Sequence, residues 1–136
     1  MAELTAVSPR GIEAQALGGP VTTIGTGPES ATTAGTRLAG LLGPGDPVAI
    51  VGVADALGGH LWPGHLVVAT EVRTLDGAPP LRLAGADLLA EELRRYGHWV
   101  HTGPVVSSPH PATPAERQRW AASGAMAVDT ESAWLA

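Results

Sequence analysis

Cysteine, lysine, asparagine and phenylalanine are all absent from this chain of 136 residues. Without cysteine there can be no disulfide, no thiol nucleophile and no thiolate metal site, and the redox compartment stays open. Without lysine, all eight basic side chains are arginines, and they are scattered rather than clustered. A nucleic-acid groove needs a basic stripe to neutralise phosphates, so this scatter and a formal charge of −5 argue against one. No stretch approaches the roughly 20 apolar residues of a membrane span. The N-terminus also lacks a basic region followed by an apolar run, so a soluble, cytoplasmic protein is expected. The missing residue types, set beside abundant alanine and glycine, read as coding bias rather than chemistry.

What is present is an ordinary globular composition, 44% apolar with a mean hydropathy of +0.13. A chain of this length can bury about two thirds of its unfolded surface. No internal repeat and no dividing linker is visible, so residues 1–136 are expected to form one domain.

Short apolar runs alternate with helical patterns. Leu4 to Val7 and Pro20 to Ile24 read as strands, with a short helical turn from Ile12 to Leu17 between them. A helix is predicted from Pro28 to about Leu42, with Ala31, Ala34, Leu38, Leu41 and Leu42 on one face and Gly43 as its stop. Proline costs nothing at the first helical position, because that N–H lacks a partner anyway. Pro47 to Val53 and His65 to Val72 are small and β-branched, the pattern of buried strands. Pro63-Gly64 makes a turn before the second.

Asp87 to Tyr96 reads as a helix with Leu89, Leu93 and Tyr96 on one side and an i, i+4 pair between Glu91 and Arg95. His98 to Val106 is the next strand. Thr113-Pro114-Ala115-Glu116 is a capping box that opens a helix to Ser123. Met126 to Val128 reads as a buried strand, and Ala133 starts a last helix. Such alternation implies an α/β layered fold with part of its sheet parallel.

Five constellations could carry chemistry. Ile24-Gly25-Thr26-Gly27-Pro28 runs from a strand through two glycines into a helix; it is either an anion site or a tight turn needing positive φ. Gly52-Val53-Ala54-Asp55 follows a strand, where small residues let a ligand approach the backbone; a plain strand-to-loop transition fits too, with Asp55 as a helix cap. Asp129 and Glu131 stand at a strand's carboxyl end, where open α/β sheets place ligand-binding groups. A carboxylate there could accept a sugar diol, or the quartet could merely cap the last helix. His110 lies between Pro109 and Pro111 in a loop that is either a pocket wall or a rigid surface turn. Glu13 is a lone carboxylate in an apolar segment, usable as a general acid or base if buried. His98 and His101, three apart on a strand, point to opposite faces and are no metal pair.

Taken in this order, the features resemble the nucleoside phosphorylase superfamily, which includes the methylthioadenosine/S-adenosylhomocysteine nucleosidases. The likeness is greatest to the actinobacterial hopanoid-associated phosphorylases. Val128-Asp129-Thr130-Glu131-Ser132 is similar to the family's valine–acidic–methionine–glutamate–serine signature, departing at Thr130. Pro63-Gly64-His65-Leu66-Val67-Val68 resembles its proline–glycine–aspartate run into a valine-rich strand. The resemblance implies a three-layer α/β sandwich with a mixed central sheet flanked by helices. It also implies cleavage of the N-glycosidic bond of a purine nucleoside, by phosphorolysis or hydrolysis, without metal or organic cofactor and with phosphate as the only co-substrate in view.

By that resemblance Glu131 would hold the ribose hydroxyls, beside Asp129 and with Thr130 in place of a methionine packed under the sugar. His110, Pro111 and Ala112 would line the base pocket. Gly52, Val53 and Ala54 would lie beside phosphate or attacking water, near the anion site at Gly25 and Gly27. Glu13 matches the glutamate that activates water in the nucleosidase branch. Family members continue for roughly another half-domain, so the resemblance implies a fold lacking its C-terminal portion, with a last helix of about six residues that is stable only if packed. Little would cover Trp134 and Leu135. Turnover by the chain alone is then expected to be slow or absent, unless a partner chain or a homo-oligomer completes the fold. The alternative is a non-catalytic nucleoside-binding remnant or subunit. A generic dinucleotide domain fails, because Ser30 stands where the third glycine of its fingerprint belongs.

Overall fold

The computed structural model of the chain describes residues 4–135. In order, the elements are β1 (Thr5–Ser8), α1 (Gly11–Leu17), β2 (Val21–Thr23), α2 (Gly27–Ala39), β3 (Val48–Ile50), β4 (Asp55–Ala56) and β5 (Leu66–Arg73). They continue with β6 (Leu81–Arg82), α3 (Ala86–Arg95), β7 (Val100–Ser107), α4 (Pro114–Ala122), β8 (Ala127–Asp129) and α5 (Ser132–Leu135). The α/β alternation read from the sequence is present. The strands are shared between two sheets, one wholly parallel and one mixed. Two compact units result: one takes the residues up to Val53 together with those from Thr130 onward, and the other spans Ala54–Asp129.

In the first unit the sheet order is β2-β1-β3, and both pairings are parallel. All three carboxyl ends therefore share one edge. Two further hydrogen bonds extend that edge, from Ile24 N–H to the Ser8 carbonyl and from Val51 N–H to the Val7 carbonyl, both at 2.9 Å. The core beneath is Val7, Ile24 and Ala34, with Leu38, Ile50 and Leu135 packed against it. The strand expected from Pro47 to Val53 is shorter, and Val48 is exposed rather than buried because β3 is an outer strand of its sheet.

Helix α2 buries Ala31 and Ala34 as expected but stops at Gly40, ahead of Gly43. Its end tightens, with the Leu41 and Leu42 N–H groups both donating to the Leu38 carbonyl. Asp46 draws the chain away by accepting from Gly43 N–H at 2.7 Å. Leu41 lies past the helix and is exposed. The last helix is better covered than the sequence suggested. Leu135 joins the Val7–Ile24–Ala34 core, and α5 lies against α2 where Gly35 has no side chain. A Cβ at Gly35 would sit 2.7 Å from the Leu135 carbonyl oxygen.

The second unit holds the sheet β4-β8-β7-β5-β6, in which β5, β7 and β8 run parallel and the two-residue strands β4 and β6 run antiparallel at the rims. Asp55 is no helix cap: it pairs with Val128 in β4, and its carboxylate lies 3.5 Å from Arg117. Cores form on Val106, Trp120, Ala125 and Val128, and on Val68, Ala86 and Ala90. In α3 the ion pair joins Arg95 to Glu92 at 3.3 Å, one residue nearer than Glu91. Tyr96 falls after the helix and is exposed, whereas Leu93 packs inward. The capping box of α4 forms as read, with Glu116 N–H donating to Thr113 Oγ1 and Thr113 N–H to Glu116 Oε2. Among the described residues no helix is long and apolar enough to cross a membrane.

Candidate active site

Two carboxylates stand at the carboxyl edge of the three-stranded parallel sheet, where its strand ends leave backbone donors without ladder partners. The first is Glu13, in the opening turn of α1. Its Oε2 accepts from Ser8 Oγ at 3.2 Å and from Arg10 N–H at 3.0 Å, and its Oε1 accepts from Val53 N–H at 3.1 Å. Glu13 thus ties the end of β1 to the segment that follows β3. Gly52 lets that segment come close, since a Cβ there would meet Pro9 Cδ at 3.1 Å and Glu13 Oε2 at 3.4 Å. Glu13 therefore lies against Gly52 and Val53. The small residues accommodate a side chain of the protein itself.

The second is Glu131, which is only 6% exposed. Its Oε1 accepts from Gly27 N–H at 2.9 Å and from the Thr130 hydroxyl, and its Oε2 accepts from Thr130 N–H at 3.3 Å. Gly25 and Gly27 both take φ +84°, which a side chain rarely tolerates, and a Cβ on Gly25 would lie 2.8 Å from Ser30 Cβ. The double-glycine turn is the tight, positive-φ turn, and it also directs a backbone donor. It bends the chain through positive φ, and it aims an N–H from the start of α2 at a carboxylate, which a helix N-terminus favours. The anion it meets is Glu131.

In the second unit, Ser107 and Ser108 are fully buried at the end of β7, beside Asp129 at the end of parallel β8. Ser107 Oγ donates to Asp129 Oδ1 at 2.6 Å, and Ser108 N–H donates to the Asp129 carbonyl at 2.9 Å. Ser108 Oγ in turn donates to the His110 carbonyl at 2.7 Å, which shapes the proline-flanked loop. His110 Nδ1 is 3.1 Å from the Pro111 carbonyl, and its Nε2 is 3.8 Å from Glu116 Oε1. Hydrogen bonds from the Thr113 backbone and hydroxyl, then the nearby His110 and Arg119, hold the Glu116 carboxyl below its usual range. Ala112 packs against the Val106–Trp120 cluster, and Ala54 immediately precedes β4.

Ser8 is a residue the sequence reading passed over. A hydroxyl at a strand's carboxyl end, five residues before an isolated glutamate, is the signal that could have found it. Ser107, at the end of β7, is the corresponding support for Asp129. Among the described residues, no group of three or more His, Asp or Glu is placed to hold a metal ion.

No protein-family model and no curated protein matches the sequence. Solved structures do. One is a mutant of the Helicobacter pylori 5′-methylthioadenosine/S-adenosylhomocysteine nucleosidase with 5′-methylthioadenosine in its active site. It aligns with a TM-score of 0.82 at 19% identity, covering 100% of this chain and 78% of that one. The chain has the nucleosidase fold. A futalosine hydrolase mutant from Helicobacter pylori strain 26695 shares that fold, with a TM-score of 0.78, 17% identity and coverage of 98% and 82%. Within the nucleosidase fold of this chain, Glu13 and Glu131 occupy one edge of one sheet, each already held by backbone N–H groups.

Proposed function

We propose that this chain hydrolyses the N-glycosidic bond of a purine nucleoside, with Glu131 gripping the sugar hydroxyls and Glu13 activating the attacking water. Water adds to the anomeric carbon as the bond to the base breaks. The proton lost by water passes to the Glu13 carboxylate, and the departing ring nitrogen takes its proton from solvent water, which Glu13 repays on returning to its carboxylate form. Positioning and charge supply the catalysis, because the sugar ring becomes cationic in the transition state and two carboxylates stand at the same sheet edge. The purine and its 5′ substituent are carried over from 5′-methylthioadenosine in the structural neighbour.

Hydrolysis is favoured over phosphorolysis by one observation, the hydrogen bond from Gly27 N–H to Glu131. The glycine turn is the natural phosphate cradle of such a sheet edge, and here it faces a carboxylate. A phosphate brought beside Glu131 and Glu13 meets like charge, and among the described residues no basic side chain is bonded to either carboxylate.

The test is base release from 5′-methylthioadenosine, followed with and without phosphate. The expected result is slow turnover that does not depend on phosphate, since the base must draw its proton from water. The Glu13→Gln change should lower kcat by about 10²- to 10⁴-fold, the usual contribution of a general base, and leave KM nearly unchanged. Turnover that requires phosphate would show a phosphorylase instead. Tight nucleoside binding with no base release would show a binding module.

A further inference from the structure

A carboxylate offers about four acceptor positions, two on each oxygen. In Glu131 three of them are filled by donors among the described residues. Gly27 N–H and the Thr130 hydroxyl both donate to Oε1, and Thr130 N–H donates to Oε2. With so little of Glu131 exposed, these donors are not readily exchanged for water. We propose that Thr130 limits Glu131 to a single sugar hydroxyl, so that this site binds a nucleoside through one hydroxyl of the diol rather than through both.

The proposal rests on the nucleosidase reading above and deepens it. A ribose diol presents two donors that would need one acceptor each. Oε1 has no position left for the second while the Thr130 hydroxyl points at it. The hydroxyl of Thr130 is thus a built-in competitor for the sugar, and a residue of similar shape without that hydroxyl would free Oε1. Thr130 acts here through Glu131, as a specificity-determining residue and not as a catalytic one.

The consequence is a distinctive pattern among deoxynucleosides. If one hydroxyl is gripped, removing it costs a hydrogen bond to a charged group, about tenfold in affinity, and removing its neighbour costs little. Calorimetric titration of the full chain with 5′-methylthioadenosine and its 2′-deoxy and 3′-deoxy counterparts reads this directly. The expected result is that one deoxy form binds about tenfold more weakly and the other within about threefold of the parent. In the Thr130→Val variant both deoxy forms should bind about tenfold more weakly than the parent, whereas Thr130→Ser, which keeps the hydroxyl, should behave as the wild type.

Loss of affinity for both deoxy forms in the wild type would overturn the proposal and leave the nucleosidase reading standing. An unchanged pattern in Thr130→Val would overturn the role given to Thr130. Failure of all three compounds to bind, or equal binding of all three, would overturn the grip of Glu131 on the sugar and the proposal with it. The wild-type pattern decides between one gripped hydroxyl and two even if Thr130→Val fails to fold.

Discussion

His101 sits in a cluster of aromatic and imidazole rings. Its Nε2 lies 3.0 Å from His65 Nδ1, its ring centroid is 5.5 Å from that of His60, and the His65 ring also stacks on Trp99. Trp62 N–H donates to the same His65 Nδ1 at 3.4 Å. Burial first, then the neighbouring His65 and His60 and the charge of Arg94, lower the pKa of His101 below its usual 6.5. A histidine depressed in the fold binds fewer protons there than in the unfolded chain. Its contribution to stability is therefore complete above about pH 6.5 and is lost as pH falls from there towards the folded value. Urea midpoints measured from about pH 7.5 down to about pH 5 should fall, and the fall should be shallower in His101→Gln. An identical pH profile in that variant would remove His101 as the cause. The proline-flanked loop around His110 and the Glu13 and Glu131 carboxylates could be singled out from sequence, because each is a chemically odd residue in bland surroundings. Their partners could not. Ser8 and Ser107 are unremarkable serines until folding sets them beside Glu13 and Asp129.

At the scale of elements, the position of Glu131 depends on how α5 sits on α2. Trp134 and Leu135 N–H groups donate to the Glu131 carbonyl, which makes Glu131 the first residue of the turn that α5 continues. That four-residue helix cannot stand without packing, and its contact with α2 is close because residue 35 is glycine. Gly35→Val forces a side chain against the Leu135 carbonyl, and overpacking of this kind costs about 1 to 3 kcal/mol. The variant should lose about that much stability in denaturant and also bind 5′-methylthioadenosine more weakly. Unaltered stability would mean that α5 moves aside freely. The longer elements were legible because their signals are local: apolar runs for β5 and β7, and the Thr113–Glu116 box for α4. Strands β4 and β6 were not, since two residues carry no period. The early end of α2 was missed because Asp46, outside the helical pattern, captures Gly43 N–H.

At the scale of the whole chain, the alternation of strands and helices announced an α/β fold, and solved structures of that fold align over nearly all of it. The division of the strands between two sheets was hidden, because pairing is non-local: β7 lies between β5 and β8, and β1 between β2 and β3. The net charge of −5 and the scattered arginines suit a small neutral ligand better than a polyanion. Everything proposed for that ligand passes through Glu131. Glutamine in its place keeps one oxygen for Gly27 N–H and replaces the other with an NH₂ group, which cannot accept a hydroxyl. Titration of 5′-methylthioadenosine into the wild type and Glu131→Gln should show affinity lower by about tenfold or more in the variant, with the fold intact. Equal affinity in the two proteins would contradict the account.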